Sequence, residues 1–480
     1  MPLILPGNVG SATAATTFNV DNSCRFNSGD SAYLHKTPSG DGSRVKWTLS
    51  MWVKRANLGA YTMLFGAFTD GSNYMTAYFN DGDDLEFRSE VSSSDTGYLI
   101  TDRKFRDVSA WYNLVFIWDT GNGTSGDRMQ IWVNGARETS FSTNNAASGN
   151  SEWNKGSQAM EVGRGGQDEY YFDGYMAEVV FQNNSATTPV DKFGEYDADS
   201  PTIWKPKKVS GLTFGTNGFY LDFKASGNLG NDANGGTDLT EVNLAATDQT
   251  TDTCTNNFCT CNPLDQTNTG GSSATMAEGN LKWTSAGNAT SQSYMRATFG
   301  LTAGKWYWEA KMSAANSGPG FQIGVAGTDA DMNAGSSGSM NDSDPNTQFV
   351  NAASSASSTR KDGSNVTTSL TTVAEDQIVQ IALDLDNQKF YIGVQGTYLN
   401  SADPAAGSNA PATVDANTTY LPAWCDNGYA DQITLELNFG NPTFSISSGN
   451  TDGNGYGNFE YAPPSGFLAL CTKNLGSDGG

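Results

Sequence analysis

The sequence holds a single histidine, His35, among its 480 residues. Nucleophilic triads need a base, usually histidine, within hydrogen-bond reach of the nucleophile. His35 stands beside Lys36 in a turn-rich stretch, where a solvent-exposed side chain is expected. Hydrolases of the Ser-His-Asp kind are therefore excluded, and no residue is predicted to be catalytic.

Long apolar runs and basic residues are also scarce. No run of about 18 or more apolar residues exists, so no membrane insertion is expected. The short apolar patch near the N-terminus has no basic residue before it, so a secretory signal is not expected. Lysine and arginine number 27 against 51 acidic residues, a net charge of −24. Such a charge repels phosphate backbones, so nucleic acid is not an expected partner.

Cysteine is sparse and clusters only once. The six cysteines are Cys24, Cys254, Cys259, Cys261, Cys425 and Cys471. The cluster "CTNNFCTC" matches no common zinc spacing and has no histidine nearby. Two alternatives stay open: a local disulfide such as Cys254 to Cys259, or reduced thiols if the protein is made in a cytosol.

Glycine and aromatic residues, by contrast, are abundant. The chain has 54 glycines, 11% aromatic and only 16% charged residues, and glycine supplies the positive-φ positions that tight turns need. Residues 111–137 and 377–399 share one cadence of apolar strand, Asp, turn, aromatic strand and Gly, which predicts a hairpin in each. The sequence therefore predicts an all-β protein built from two β-sandwiches of related architecture.

Shifts in composition divide the chain. Residues 22–224 show short strands separated by turns, and residues 278–473 repeat that pattern. Residues 225–277 are rich in Gly, Asn and Thr with little apolar content, which predicts a linker. Residues 1–21 are expected to form an N-terminal arm, either poorly ordered or docked on a partner, and residues 474–480 a flexible tail.

Two sets of motifs resemble known families. "WTLSMWVKR", "DRMQIWVNG" and "FDGYMAEVVF", within residues 22–200, resemble the laminin-G-like, concanavalin A-like lectin domain of tailed-phage virion proteins, most clearly those of marine and cyanobacterial phages. "GKWYWEA", "IALDLDNQKFYIGVQG" and "YAPPSGFLALCTKNL", within residues 278–473, are similar to a SPRY-type domain. The resemblance implies two concanavalin A-like or jelly-roll sandwiches. The clustered cysteines depart from it, because small or apolar residues are usual there.

The resemblance implies a non-enzymatic structural protein of the virion, made in the bacterial host cytoplasm. A tail fibre or tail-associated adhesin would bind host surface glycans through its sandwich loops. A head-decorating or architectural protein would contact only other virion proteins, and a tailspike-like glycan depolymerase is the third alternative. A homo-oligomer such as a trimer is expected for a fibre, although no coiled-coil heptads are present to enforce one.

Aromatic residues in predicted loops are the candidate glycan contacts. An exposed ring stacks on the apolar face of a sugar while nearby amides and carboxylates bond its hydroxyls. The preferred edge is "GRGGQDEYYFDG" at residues 163–174, and packing between domains or subunits is the alternative for each ring. The full candidate set is Trp153, Arg164, Asp168, Tyr170, Tyr171, Trp424, Asp426 and Tyr429.

Acidic turns indicate a candidate metal site. "DGDD" places Asp81, Asp83 and Asp84 in one turn, and carboxylates at a sandwich rim are ligands that Ca²⁺ prefers. Turn formation by Asp and Asn explains the same stretch. Calcium is thus the one candidate cofactor.

"EYDADS" is the strongest argument for an enzyme. Glu195, Asp197 and Asp199 would share one face of a strand, and some glycoside hydrolases on concanavalin A-like sandwiches pair two carboxylates about 5 Å apart. The segment, however, stands among Gly, Asp and Pro beside a basic run. That setting favours a solvated connector.

Overall fold

The computed structural model describes residues 4, 18–166, 169–198, 200–268, 273–287, 293–315, 321–330, 347–352, 357–361, 364–370, 373–426 and 432–478. The chain divides into two compact units. The N-terminal unit is Thr13–Asn256, and the C-terminal unit combines Met1–Ala12 with Asn257–Gly480. Strands dominate both, which confirms the predicted all-β class.

Two large antiparallel sheets and a two-stranded ribbon form the described part of the N-terminal unit. Its strands are β1 (Ser23–Phe26), β2 (Tyr33–Lys36), β3 (Lys46–Arg55), β4 (Thr62–Asp70), β5 (Asn73–Phe79), β6 (Asp84–Val91), β7 (Ser94–Lys104), β8 (Trp111–Asp119), β9 (Met129–Val133), β10 (Ala136–Arg137), β11 (Phe141–Asn145), β12 (Met160–Val162), β13 (Gly174–Asn183), β14 (Gly194–Tyr196), β15 (Trp204–Pro206), β16 (Phe219–Leu221), β17 (Thr240–Val242) and β18 (Gln249–Thr250), with the short helix α1 (Pro189–Lys192) before β14. Sheet I has the order β10–β9–β8–β3–β13–β1–β18, with β16 beside β13, and sheet II has the order β11–β7–β6–β5–β4–β12–β2–β17. The ribbon is β14–β15.

The core of the N-terminal unit lies between sheets I and II and is dominated by aromatic rings. Trp47 and Trp118 are fully buried and their ring centroids lie 6.3 Å apart. Phe65 and Phe87 of sheet II pack into the same cluster. Each such ring removes a large apolar area from water, which stabilises the sandwich.

The C-terminal unit is a second pair of sheets. Its strands are β19 (Cys261–Asn268), β20 (Thr275–Ala277), β21 (Lys282–Thr284), β22 (Ser293–Ala297), β23 (Lys305–Ala315), β24 (Phe321–Gly327), β25 (Thr347–Ala352), β26 (Ser357–Lys361), β27 (Ser364–Leu370), β28 (Ile378–Asp384), β29 (Lys389–Val394), β30 (Thr397–Tyr398), β31 (Ala412–Thr413), β32 (Tyr420–Asp426), β33 (Ile433–Asn438) and β34 (Leu468–Ala469), followed by helix α2 (Thr472–Asp478). Sheet III has the order β19–β22–β32–β24–β25–β26–β27, and sheet IV has the order β20–β21–β33–β23–β28–β29–β30, with β31 beside β29 and β34 beside β23.

The two predicted hairpins are present. Strands β8 and β9 pair antiparallel in sheet I, and β28 and β29 pair antiparallel in sheet IV. Asn134 and Gly135 follow β9 with φ of 48° and 75°, as a tight turn with two positive-φ residues requires. Each unit therefore contains one copy of the repeated hairpin.

The predicted linker at 225–277 is wrong. Strand β17 pairs with β2 at the edge of sheet II, and β18 pairs with β1 at the edge of sheet I. Further along, β19 pairs with β22 in sheet III. The polar composition of this stretch suggested a linker, but its polar side chains form hydrogen bonds with nearby backbone groups. Asp232, for example, accepts from the N–H groups of Tyr220 and Asn234. Its polarity stabilises turns between short edge strands.

Of the predicted N-terminal arm at 1–21, residues 4 and 18–21 are described, and of the predicted tail at 474–480, residues 474–478 are described; the rest lie outside the described residues. Ile4 exchanges two backbone hydrogen bonds with the segment around Phe299, within its own C-terminal unit. Residues 474–478 of the predicted flexible tail belong to helix α2, where Leu475 is fully buried.

All six cysteines are free thiols, so the alternative of a disulfide between Cys254 and Cys259 is wrong. Over the part of the chain described, no helix has both the length and the apolar character to cross a membrane.

Candidate functional site

A stripe of tyrosines follows the outer face of sheet II. Alternation along β5 sends Met75 and Ala77 into the core and places Tyr74, Thr76 and Tyr78 on the opposite face. Neighbouring strands extend this face in register. Its cross-strand pairs are Tyr74 with Phe68 and Glu90, Thr76 with Gly66 and Arg88, Tyr78 with Met63 and Glu86, and Arg88 with Tyr98.

Carboxylates hold the tyrosine hydroxyls in place. Glu86 Oε2 accepts hydrogen bonds from the Tyr78 hydroxyl at 2.5 Å and the Tyr98 hydroxyl at 2.9 Å. Glu90 Oε2 accepts from the Tyr74 hydroxyl at 3.0 Å. Bonds to an ionised acceptor are short and directional. The rings are therefore fixed before any ligand arrives.

Arg88 bonds to two carboxylates, those of Glu90 and Asp95. Its guanidinium donates to Glu90 at 2.7 Å and to Asp95 at 2.7 Å. The same group lies over the rings of Tyr74 and Tyr98, 5.5 Å and 4.9 Å from their centroids. The one cation of this network is thus paired with two acids and covered by aromatic rings.

The tyrosine hydroxyls of this face stay protonated at physiological pH. Burial, together with the bond to Glu90, raises the pKa of Tyr74 to about 12. Burial and the Glu86 carboxylate raise the pKa of Tyr78 and Tyr98 even further. All three hydroxyls therefore remain donors to their carboxylates.

The loop at 163–172 crosses the outer face of sheet II because glycines allow it to lie close to the strand. A Cβ at Gly66 would come within 2.6 Å of the Gly165 Cα. The Met63 N–H donates to the Tyr170 carbonyl at 2.9 Å, and the Phe172 N–H donates to the Gly163 carbonyl at 2.9 Å. The loop is therefore bonded to β4 directly.

A cleft lies on one side of this loop. Tyr61 and Tyr170 form its rim, 39% and 44% exposed, with ring centroids 5.4 Å apart. The Thr76 hydroxyl at the cleft is buried and has no hydrogen-bond partner among the described atoms. The cleft opens to solvent and has a cavity volume of about 160 Å³. Its lining residues are Tyr61, Met63, Phe68, Tyr74, Thr76, Tyr78, Gly165, Glu169 and Tyr170.

Arg164 and Tyr171 belong to a smaller cluster around Tyr33. The Arg164 guanidinium donates to both carboxylate oxygens of Glu161, at 2.8 Å and 2.7 Å, and lies 4.0 Å from the centroid of the Tyr33 ring. Tyr33 also contacts the rings of Tyr171 and His35, at 6.2 Å and 5.9 Å. The bonds to Glu161 raise the pKa of Arg164. Arg164 is therefore a paired cation that holds the base of the loop.

The prediction that Trp153 and Trp424 are exposed ring platforms is wrong. Trp153 is fully buried, and its indole N–H donates to the Met75 carbonyl at 2.7 Å. Trp424 lies in β32 and is fully buried in the core of the C-terminal unit. Asp426 ends that strand, 2% exposed, and accepts from the Ser293 N–H. Asp168 and Tyr429 lie outside the described residues.

Ion pairs occupy the turn that was predicted to bind calcium. Asp83 is buried and accepts from Arg55 at 3.2 Å and Arg106 at 2.9 Å. Asp84 accepts from Lys104 at 2.7 Å, and Asp81 is exposed. A search of the described residues finds no group of three or more His, Cys, Asp or Glu side chains placed to hold a metal. The structure thus gives this turn an ion-pairing role in place of the calcium site.

The acidic segment "EYDADS" is part of a small ribbon. Strand β14 pairs with β15, and Lys205 lies 3.9 Å from Glu195 and 3.3 Å from Asp197. Asp199 lies outside the described residues. Glu195 and Asp197 share Lys205 as an ion-pair partner and Asp197 is buried, so the segment is a paired strand and the interpretation as a solvated connector is wrong.

Comparison with known proteins places a lectin-type domain on the unit that carries the cleft. Residues 27–189 match the Laminin_G_3 family model, described as the concanavalin A-like lectin/glucanases superfamily. No curated protein matches the chain.

Solved structures with low sequence identity also align. The chain is similar to a SAP-like pentraxin from Limulus polyphemus (16% identity over 36% of this chain and 80% of that one, TM-score 0.28). It is similar to the SPRY domain of human HERC1 (16% identity over 33% and 87%, TM-score 0.26). It is also similar to domain 4 of AbnA, an extracellular arabinanase from Geobacillus stearothermophilus, solved with arabinotriose (19% identity over 31% and 66%, TM-score 0.23).

Sequence reasoning found Tyr170 and missed the strand residues beneath it. Tyr74 and Tyr78 alternate with apolar residues in "NYMTAYF", a pattern that places both on one face of a strand. Because "LEFRSE" alternates in the same way, Glu86 and Glu90 share a face too. Which face is buried depends on sheet I, so pattern alone left these residues unassigned.

Proposed function

We propose that this protein is a non-enzymatic carbohydrate-binding protein whose N-terminal unit holds a glycan in the cleft bounded by Tyr61 and Tyr170. The observation that carries the proposal is the clustering of five aromatic side chains around one open cleft, on a unit that matches a lectin family. Aromatic rings stack on the apolar faces of sugar rings.

The polar groups of the cleft fit a hydroxyl-rich ligand. The exposed rim tyrosines Tyr61 and Tyr170 carry hydroxyls that can bond to sugar hydroxyls. Glu169 is exposed at the rim and can accept from further hydroxyls. Rings that are fixed beforehand by Glu86 and Glu90 lose little conformational freedom on binding, which favours affinity.

Binding, rather than hydrolysis, is supported by how the carboxylates are used. Glu86 accepts from two tyrosines and from Asn80 at 2.7 Å, while Glu90 accepts from Tyr74 and Arg88. Both carboxylates are therefore occupied by donors of the protein itself, whereas a glycosidase needs one carboxyl group to protonate the leaving group and a second to act as nucleophile or base.

The biological setting we propose is the surface of a tailed-phage virion, as a tail fibre or tail-associated adhesin. The motif resemblance supports it, from "WTLSMWVKR" to "YAPPSGFLALCTKNL". A single open cleft would bind weakly, and several copies on one particle would multiply that weak binding into avidity. Other virion proteins and host surface glycans are the partners that this role requires.

Binding to immobilised host glycans, followed by competition for phage adsorption, tests the proposal. We expect the full-length protein to bind glycans and to block adsorption in a dose-dependent way, and the double variant Tyr61→Ala/Tyr170→Ala to do neither. Folded protein that binds no glycan and leaves adsorption unchanged would favour the head-decorating or architectural role. Release of reducing ends from host polysaccharide would favour the depolymerase.

A further inference from the structure

We propose that the cleft takes sugars without negative charge, namely neutral hexoses and amino sugars, and rejects uronic, sialic, sulfated and phosphorylated ones. This inference rests on the proposed function, because it specifies the ligand class of the same cleft. It follows from two properties of the lining: the direction of its hydroxyl hydrogen bonds and the sign of its charges.

The tyrosine hydroxyls of strand β5 can act toward a ligand only as acceptors. Tyr74 and Tyr78 line the cleft, and each donates its only O–H hydrogen to a carboxylate of the adjacent strand β6, Glu90 and Glu86. A phenol has one hydrogen to donate, so the remaining lone pairs can only accept. Sugar hydroxyls and ammonium groups donate to such oxygens. Carboxylate, sulfate and phosphate oxygens carry no hydrogen to offer when ionised.

The charges around the cleft are acidic. Among the nine described residues that line it, the charged one is Glu169. Asp81 lies beside Tyr61 at the rim, where burial and this carboxylate raise the pKa of the phenol. The nearby cation Arg88 already bonds to Glu90 and Asp95. An anionic sugar would therefore meet like charge, and none of the described residues that line the cleft carries a positive charge to offset it, in a protein with a net charge of −24.

The acidic and aromatic lining of the cleft also favours amino sugars, because their ammonium group is positively charged. An ammonium group placed against the exposed ring of Tyr170 would face an aromatic surface beside Glu169, the residue that precedes it in the chain. Rings attract cations through their negative faces. The cleft thus offers a cation both aromatic and ionic contacts.

An array of neutral, amino and acidic glycans probed with the full-length protein tests the inference, with Tyr170→Ala as the site control. We expect binding to neutral or amino glycans that Tyr170→Ala weakens about fivefold. Acidic glycans bound with the same dependence on Tyr170 would overturn the charge selection and leave the proposed function intact. Binding to no glycan, or binding indifferent to Tyr170, would overturn the proposed function and this inference with it.

A matched pair of ligands and variants then tests charge as the cause. The best-binding oligosaccharide is compared with the same oligosaccharide oxidised at its primary alcohols to uronic acids, and we expect binding at least about tenfold weaker for the oxidised form. Glu169→Gln should reduce the ratio of the Kd for the oxidised oligosaccharide to the Kd for the neutral one. Glu375 is an exposed acid of the C-terminal unit, and Glu375→Gln should leave that ratio unchanged. Equal affinity for both ligands, or a ratio unmoved by Glu169→Gln, would contradict the role of charge.

Discussion

The backbone N–H of Met63 donates a hydrogen bond of 2.9 Å to the carbonyl oxygen of Tyr170. That bond joins the loop carrying the rim tyrosine to strand β4 of sheet II, so the cleft is built on a strand and not on a free loop. Because a site supported by strands changes little between the free and bound states, the cleft's shape should persist without ligand. The predictions below depend on this arrangement.

Removal of either rim ring should weaken glycan binding without unfolding the protein. Tyr61→Ala and Tyr170→Ala each remove a stacking surface, and we expect each to cost about 1 kcal/mol, roughly a fivefold rise in Kd. Calorimetric titration with the array-selected glycan measures the change. Tyr196→Ala is the matched control, because Tyr196 is 43% exposed on strand β14. An equal loss in that variant would rule out a specific role for the rim.

Gly66→Ala should displace the loop from the sheet. The new Cβ would lie 2.6 Å from the Gly165 Cα, so backbone must move, and we expect a loss of about 1–3 kcal/mol in unfolding free energy together with weaker glycan binding. Gly71→Ala has no heavy atom within 4 Å of the added Cβ and should be neutral. Urea unfolding and glycan titration of both variants measure this, and normal affinity in Gly66→Ala would show that close approach is not needed.

Asp83→Asn should destabilise the N-terminal unit far more than Asp84→Asn. Arg55 is fully buried against Asp83, and a buried cation that loses its partner costs about 3–5 kcal/mol. Asp84 pairs with Lys104, whose side chain is 43% exposed, so its loss should cost less than about 1 kcal/mol. Thermal unfolding compares them. We expect added calcium to leave the Tm of the wild type unchanged. A rise in Tm on addition of calcium that Asp83→Asn abolishes would restore the hypothesis of a calcium site in this turn.

Glu178 should make stability fall as the pH rises. Burial, with a smaller contribution from Asp222, raises its pKa from the ordinary 4.5 to about 7, although the Tyr220 hydroxyl bonds to it at 2.6 Å. Because the folded state retains a proton that the unfolded chain releases, the contribution of Glu178 is complete below about 4.5 and is lost as the pH rises through about 7. That loss amounts to about 3 kcal/mol.

The measurement is urea unfolding of the wild type and Glu178→Gln at about pH 5 and about pH 8. Glutamine keeps a neutral partner for Tyr220, so the variant should lose most of the difference between the two pH values. Glu375→Gln, at an exposed position, should retain it. Parallel behaviour of Glu178→Gln and the wild type would show that this carboxyl does not titrate in the folded protein.

Local patterns predicted the hairpins but not the direction of loop side chains. The pair β8–β9 is specified by an apolar run, a turn and Asn134-Gly135, all adjacent in sequence. Trp153 stands in an equally polar loop, yet Ser151 bonds to both Trp47 Nε1 and the Trp153 carbonyl, and the indole turns into the core. Only the folded sandwich provides those partners, so the sequence alone favoured exposure.

The sequence predicted only part of the cleft, because the partners of its side chains become neighbours only in the folded sandwich. Tyr170 was found because its neighbours are turn residues and its ring is conspicuous in a loop. The partners that fix the site, Glu86 for Tyr78 and Glu90 for Tyr74, come from the adjacent strand β6. Their meeting depends on strand register, because a shift of one residue would send every side chain of a strand to the other face.

Strands β17 and β18 cap one edge of each large sheet of the N-terminal unit, although they lie beyond the residues that match the lectin family. A chain ended at residue 224 would leave the backbone donors and acceptors of β1 and β2 open at those edges. Unpaired edges recruit strands from other molecules, and such a fragment would be prone to aggregate. A fragment that extends to Asn256 keeps both edges covered, so this unit should be expressed with its polar final segment.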